Sequence, residues 1–125
     1  MKIDGNSLTP IYVQIADSIE EDILCNRLQE GSPCYSQLIL AKELKVNPAT
    51  AAKGINLLVS RGILEKQRGL AMVISREAKD IIIKRKSQTD FEQKLQELVR
   101  TARQLNIDEE YVKNKIVEYY KEEVL

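Results

Sequence analysis

Two helix-start signals eleven positions apart, Ser36 and Asn47-Pro48, constrain the middle of this chain more than any other feature. Serine and asparagine side chains accept a hydrogen bond from the N–H groups of a first helical turn. Proline suits that turn because its missing N–H is not needed there. The interval leaves room for a short helix from Ser36 to Leu44 and a tight turn at Lys45-Val46. A further helix starts at Asn47-Pro48 and stops at Arg61-Gly62, where glycine supplies the helix end. Two short helices joined by a three- or four-residue turn make a helix-turn-helix.

On the upstream side, Thr9-Pro10 repeats the cap-plus-proline signal. Ile11, Ile15, Ile19 and Ile23, with Ala16, then form an apolar stripe at helical spacing. This helix is expected to end near Leu28, before the loop Glu30-Gly31-Ser32-Pro33. Downstream the period changes. Ile63-Leu64-Glu65-Lys66 and Ala71-Met72-Val73-Ile74 read as short strands joined by the tip Gln67-Arg68-Gly69-Leu70. From about Arg76 to Asn106 the pattern is helical. Phe91, Leu95, Leu98, Ala102 and Leu105 form a heptad seam there. Asp108 caps a last helix with the stripe Val112, Ile116, Tyr119, Tyr120 and Val124. The expected class is mainly α with a small β-hairpin: a winged helix-turn-helix over residues 1–75, then a two-helix segment over 76–125.

Composition narrows the function. Hydrophobic residues are 43% and charged residues 30%, which fits a globular chain. The opening MKIDGNSLTP has no apolar signal core and no run approaches a membrane span, so the expected location is the cytoplasm. The absence of histidine removes the usual general base and the usual nitrogen ligand for a metal. With no nucleophile–base pair and no phosphate loop in addition, an enzyme is not expected. No cofactor or metal is called for. Cys25 and Cys34, nine positions apart, match no metal or redox motif and read as two free thiols. The net charge of zero hides a polarity. Residues 1–41 carry two cations and six anions, whereas residues 42–68 carry six cations and two anions. A basic segment beside an acidic one suits an anionic partner on one face.

The third helix shows how that partner would be met. Ala51, Gly54, Ile55 and Leu58 share one face, which packs inward, and Gly54 lets another helix approach closely. The opposite face carries Ala49, Lys53 and Asn56, with Thr50 and Ala52 at its margins. Small residues near a helix start let its backbone approach a groove floor. Alanine and the threonine methyl can touch thymine methyls, lysine can donate to guanine, and asparagine can read adenine or bind phosphate. A hairpin with Arg68-Gly69 at its tip, placed directly after a helix-turn-helix, is a wing able to reach an adjacent minor groove or the backbone.

The segments PIYVQIADSIEEDIL and LAKELKVNPATAAKGINLLVSRGILEKQRG resemble the winged-helix domain of GntR-family bacterial transcription regulators, over about residues 9–75. The short remainder resembles the YtrA-like branch, whose tail serves dimerisation and is not large enough to enclose an effector. The resemblance implies a DNA-binding regulator, usually a repressor and often of a nearby transporter operon. Carried over by position, it implies DNA contacts from Ser36 and Gln37, from Asn47, Ala49, Thr50 and Lys53, and from Arg68 and Gly69. This chain departs from the pattern at Leu38 (usually arginine), Ile39 (glutamate), Leu70 (polar) and Ala71 (glycine). Those changes remove a phosphate or base contact and stiffen the wing.

A lone pair of helices buries too little surface to be stable alone, so the seam and the last stripe are expected to form a homodimer interface. Phe91, Leu95, Leu98, Ala102, Leu105, Val112, Ile116, Tyr119 and Tyr120 are its candidate residues. A two-fold dimer would read a pseudo-palindromic operator with half-sites about 34 Å apart or a multiple of it. Tyr111, Tyr119 and Tyr120 read as helix-stripe packing residues ahead of a pocket for a small-molecule effector. A different reading makes Leu38, Ile39 and Leu70 an apolar patch for docking another protein.

Overall fold

The computed structural model describes residues 1–67 and 71–122. Six helices and two strands follow in the order α1 (Ile11–Leu24), α2 (Gln37–Leu44), α3 (Pro48–Ser60), β1 (Leu64–Lys66), β2 (Met72–Ile74), α4 (Ala78–Gln88), α5 (Asp90–Gln104) and α6 (Glu109–Lys121). The chain divides into two compact units, Met1–Lys84 and Arg85–Leu125. The first extends beyond residue 75 because Ala78 and Ile82 of α4 are fully buried in its apolar core.

That core is built as the periodicity requires. Ile15, Ala16, Ile19 and Ile23 of α1 meet Ala51, Ile55 and Leu58 of α3, with Leu40 and Ala41 of α2 closing one side. Gly54 lies where α3 packs tightly on α1. A β-carbon placed there would sit 3.0 Å from Ile15 Cγ2 and 3.2 Å from the Tyr12 carbonyl oxygen. The hairpin pairs antiparallel, Leu64 with Ile74, Glu65 with Val73 and Lys66 with Met72. Leu64 and Ile74 are buried beneath it.

Several helix ends are set by residues in the left-handed region. Gly62 (φ 79°) follows α3, and the N–H groups of Gly62 and Ile63 return to the carbonyls of Val59 and Leu58. Lys45 (φ 55°) ends α2 in a left-handed cap. The first helix stops at Leu24, four residues before the expected Leu28, because Asn26 (φ 64°) takes the left-handed position. Arg27 and Leu28 then donate back to the Asp22 carbonyl. Asparagine tolerates this conformation through its short polar side chain. At the other end of α1 the cap position is Pro10 and no side chain caps it, so Thr9 does not play the expected role. Gln14 instead folds back, donating to the carbonyls of Asp4 and Thr9 at 2.9 Å each.

Two further differences concern irregular segments. The Gly31–Pro33 stretch is not a free loop: Gly31 N–H donates to the Ile74 carbonyl at 2.7 Å and Ile74 N–H to that of Ser32 at 2.9 Å. Cys34 N–H donates to the Met72 carbonyl at 2.8 Å, so β2 is flanked on both edges. Proline is tolerated there because an edge needs no donor from it. The expected single helix from Arg76 to Asn106 is broken at Thr89. Its hydroxyl donates to the Arg85 carbonyl at 2.8 Å, also the acceptor of Thr89 N–H, and the backbone leaves ideal geometry (φ −115°, ψ −66°). Such local side-chain bonds compete with the helical ladder.

In the second unit Ala102 is buried, whereas Phe91, Leu95 and Leu98 on α5, Leu105 just past its end, and Ile116, Tyr119 and Tyr120 on α6 are exposed. Asp108 caps α6 by accepting from Tyr111 N–H at 2.8 Å.

Candidate nucleic-acid interface

The helix-turn-helix presents its two helix starts side by side. Ser36 Oγ accepts from Ile39 N–H at 3.1 Å and Asn47 Oδ1 from Ala49 N–H at 2.8 Å, so each cap holds its helix in register. Gln37 Nε2 donates to the Pro48 carbonyl at 3.4 Å and ties the first turn of α2 to that of α3. Ala49, Lys53 and Asn56 are exposed on one face of α3, Thr50 and Ala52 are half-buried at its margins, and Ala51, Gly54, Ile55 and Leu58 are buried opposite. The face expected to be free is free. Arg68 and Gly69, expected at the wing tip, and Leu70 beside them, lie outside the described residues.

The charges divide between surface and scaffold. Lys42, Lys45, Lys53 and Lys66 are exposed. Arg61 is not part of that group: its guanidinium lies 3.1 Å from Glu20 and 3.4 Å from Asp17 on α1. Glu20, one of the six anions counted in residues 1–41, is fully buried. The N-terminal acids likewise serve the fold. Asp22 accepts from Tyr35 Oη and from Arg27 Nε, each at 2.8 Å, and Glu30 accepts from Lys79 N–H at 3.0 Å at the start of α4. Burial, followed by the hydrogen bond to Asp22, pushes the Tyr35 phenol up to about 12. Burial pushes the Cys34 thiol up to about 11, so it stays neutral and unreactive near pH 7.

One contact escaped sequence reasoning. Lys53 Nζ stands over the ring of Tyr12 on α1, 5.7 Å from its centroid. Residues 12 and 53 are remote in sequence, and the close passage at Gly54 was the only hint that α1 reaches this face.

On the second unit, α5 and α6 enclose an apolar groove of about 210 Å³ lined by Leu98, Ala102, Ile107, Tyr111, Val112 and Tyr119, among others. Of the three tyrosines singled out, Tyr111 and Tyr119 meet there.

Comparison with profiles of known protein families gives no match. Individual relatives do. The chain is 32% identical over 122 residues to the HTH-type transcriptional repressor YtrA of Bacillus subtilis, covering 98% of this chain and 90% of that one. The chain belongs to the GntR family. It is also similar to YtrA from Sulfolobus acidocaldarius, whose structure is described as a GntR-family transcription factor: 32% identity, TM-score 0.58, with 98% of this chain and 97% of that chain covered. A transcriptional regulator from Oenococcus oeni shares the fold at a TM-score of 0.78 and 20% identity, covering 96% and 97% of the two chains. This GntR-family protein is therefore a YtrA-like transcription regulator of mainly α winged-helix fold, and not an enzyme. Among the described residues, no helix is long and apolar enough to cross a membrane.

Proposed function

We propose that this regulator binds a pseudo-palindromic operator as a homodimer and represses transcription in the cytoplasm. The observation that carries the reading is the exposed face of α3, where Ala49, Lys53 and Asn56 stand clear of the core beside two capped helix starts. Small side chains admit the helix to a major groove. Lys53 donates to a base or phosphate, Asn56 reads an adenine edge, and Ser36, Gln37, Asn47 and Thr50 position the backbone. Arg68 and Gly69 extend the grip from the wing. The reading needs no cofactor and no small-molecule effector.

The dimer follows from the second unit. Phe91, Leu95 and Leu98 on α5, Leu105 just past its end, and Ile116, Tyr119 and Tyr120 on α6 leave an apolar surface too extensive for an isolated pair of helices. Ala102 and Val112 complete the proposed interface. Replacing Leu98 and Leu105 by Glu is expected to give monomers; an unchanged sedimentation coefficient would exclude this seam.

The decisive test is a salt titration of duplex binding, with and without Lys53→Ala. Affinity should fall steeply as salt rises, through counterion release, and the substitution should weaken specific binding by about 1–3 kcal/mol. A second reading rests on Leu38 and Ile39, which are 73% and 53% exposed on the first turn of α2. They would dock another protein through an apolar contact. Binding that is insensitive to salt and indifferent to Lys53 would favour that role.

A further inference from the structure

We infer that Tyr12 is a positioning residue for DNA recognition: its ring holds the Lys53 side chain in place on the α3 face before DNA arrives. The inference rests on the reading of Lys53 as a groove-facing residue.

Tyr12 sits on the first turn of α1, and its carbonyl oxygen is one of the atoms a β-carbon at Gly54 would strike. The backbones are thus locked together one residue away from Lys53, which fixes the ring relative to the lysine stem. Lys53 Nζ lies 5.7 Å from the ring centroid, within cation–π reach. The ring is half-buried and stands apart from the buried apolar cluster. A free lysine side chain samples many rotamers and loses that freedom when it docks. One resting on an aromatic face has lost part of it already, while the side chain as a whole stays exposed. The ring therefore acts on the affinity of the bound lysine, not on its charge. Among the described residues of α3, Lys53 is the cation on the exposed face, so ordering it bears on how that face meets a site.

The experiment compares Tyr12→Leu and Tyr12→Phe with the wild type, alone and on a Lys53→Ala background. The probe is a duplex that the full-length wild-type chain selects from a random-sequence pool. Tyr12→Leu should weaken specific binding about two- to five-fold, as loss of an exposed cation–π contact implies, while Tyr12→Phe restores it. Tyr12→Leu should have no effect once Lys53 is gone. The salt slope should stay unchanged, because no charge is removed. In the free protein, the Lys53 ε-methylene protons should show a ring-current shift in the wild type and Tyr12→Phe that disappears in Tyr12→Leu. Undiminished or tighter binding by Tyr12→Leu would overturn the role, as would an equal loss on the Lys53→Ala background. Failure of the wild type to select any duplex would sink the functional reading and the positioning role with it. In that case the ring-current shift still reports whether ring and lysine pair.

Discussion

Replacing Gly54 by alanine sets two known effects against each other at a tight contact between α1 and α3. Alanine is the better helix residue by about 1 kcal/mol. The added β-carbon, however, would meet Ile15 Cγ2 at 3.0 Å, Ile15 Cβ at 3.2 Å and the Tyr12 carbonyl oxygen at 3.2 Å. Only the first of these atoms can swing away by a side-chain rotation. The other two move only if α1 itself moves. Since Ile15, Ile19 and Ile23 of α1 are all fully buried, shifting that helix loosens the core along its length. Overpacking of this kind costs about 1–3 kcal/mol. Setting that against the propensity gain leaves a net destabilisation of about 1 kcal/mol, a shift of a few degrees in Tm. Urea unfolding followed by far-UV circular dichroism reads this, at one fixed protein concentration so that association does not enter the comparison. Gly5→Ala is the control. No atom lies within 4 Å of a β-carbon there and its φ is not positive, so it should be neutral or stabilise by up to about 1 kcal/mol. A Gly54→Ala midpoint at or above that of the wild type would refute the argument that backbone contact fixes the spacing of α1 and α3.

Arg61→Met, which takes the guanidinium away from buried Glu20, should destabilise the fold by about 3 kcal/mol, measured by the same unfolding experiment. Alkaline pH should also weaken it. Cys34 and Tyr35 are held in their neutral forms, with the thiol raised from 9.0 to about 11 and the phenol from 10.0 to about 12. The unfolded chain ionises first, so their contribution is complete below pH 9 and is lost as pH rises from 9 towards 12. The denaturation midpoint should fall over that range, and Tyr35→Phe should fall less between pH 10 and 12.

What the sequence disclosed depended on whether a residue's role shows in its type and spacing. The buried face of α3 was readable because Ala51, Gly54, Ile55 and Leu58 recur at helical intervals, and the same wheel marked Ala49, Lys53 and Asn56 as free. The caps at Ser36, Asn47 and Asp108 were readable because those side chains favour that position. The end of α1 was not, because Asn26 does what glycine usually does and leaves no glycine to see. The burial of Glu20 was not readable because nothing in a single helix announces Arg61 arriving from just past the end of α3. The break at Thr89 was hidden because the polar run from Lys84 to Asp90 holds no glycine or proline to mark it, and one threonine hydroxyl decides it. Gly31-Ser32-Pro33 read as a turn because an edge pairing borrows its geometry from β2, not from its own residues.

That edge pairing has a mechanical consequence. Cys34 is bonded to β2, Ser36 opens α2, and Tyr35 between them is clamped to Asp22 on α1. The linker from hairpin to helix-turn-helix is thus one residue long and pinned by that contact. It has no slack to absorb strain. The hairpin is thereby tied through Ser36 to the first turn of α2, and through Gln37 to the start of α3.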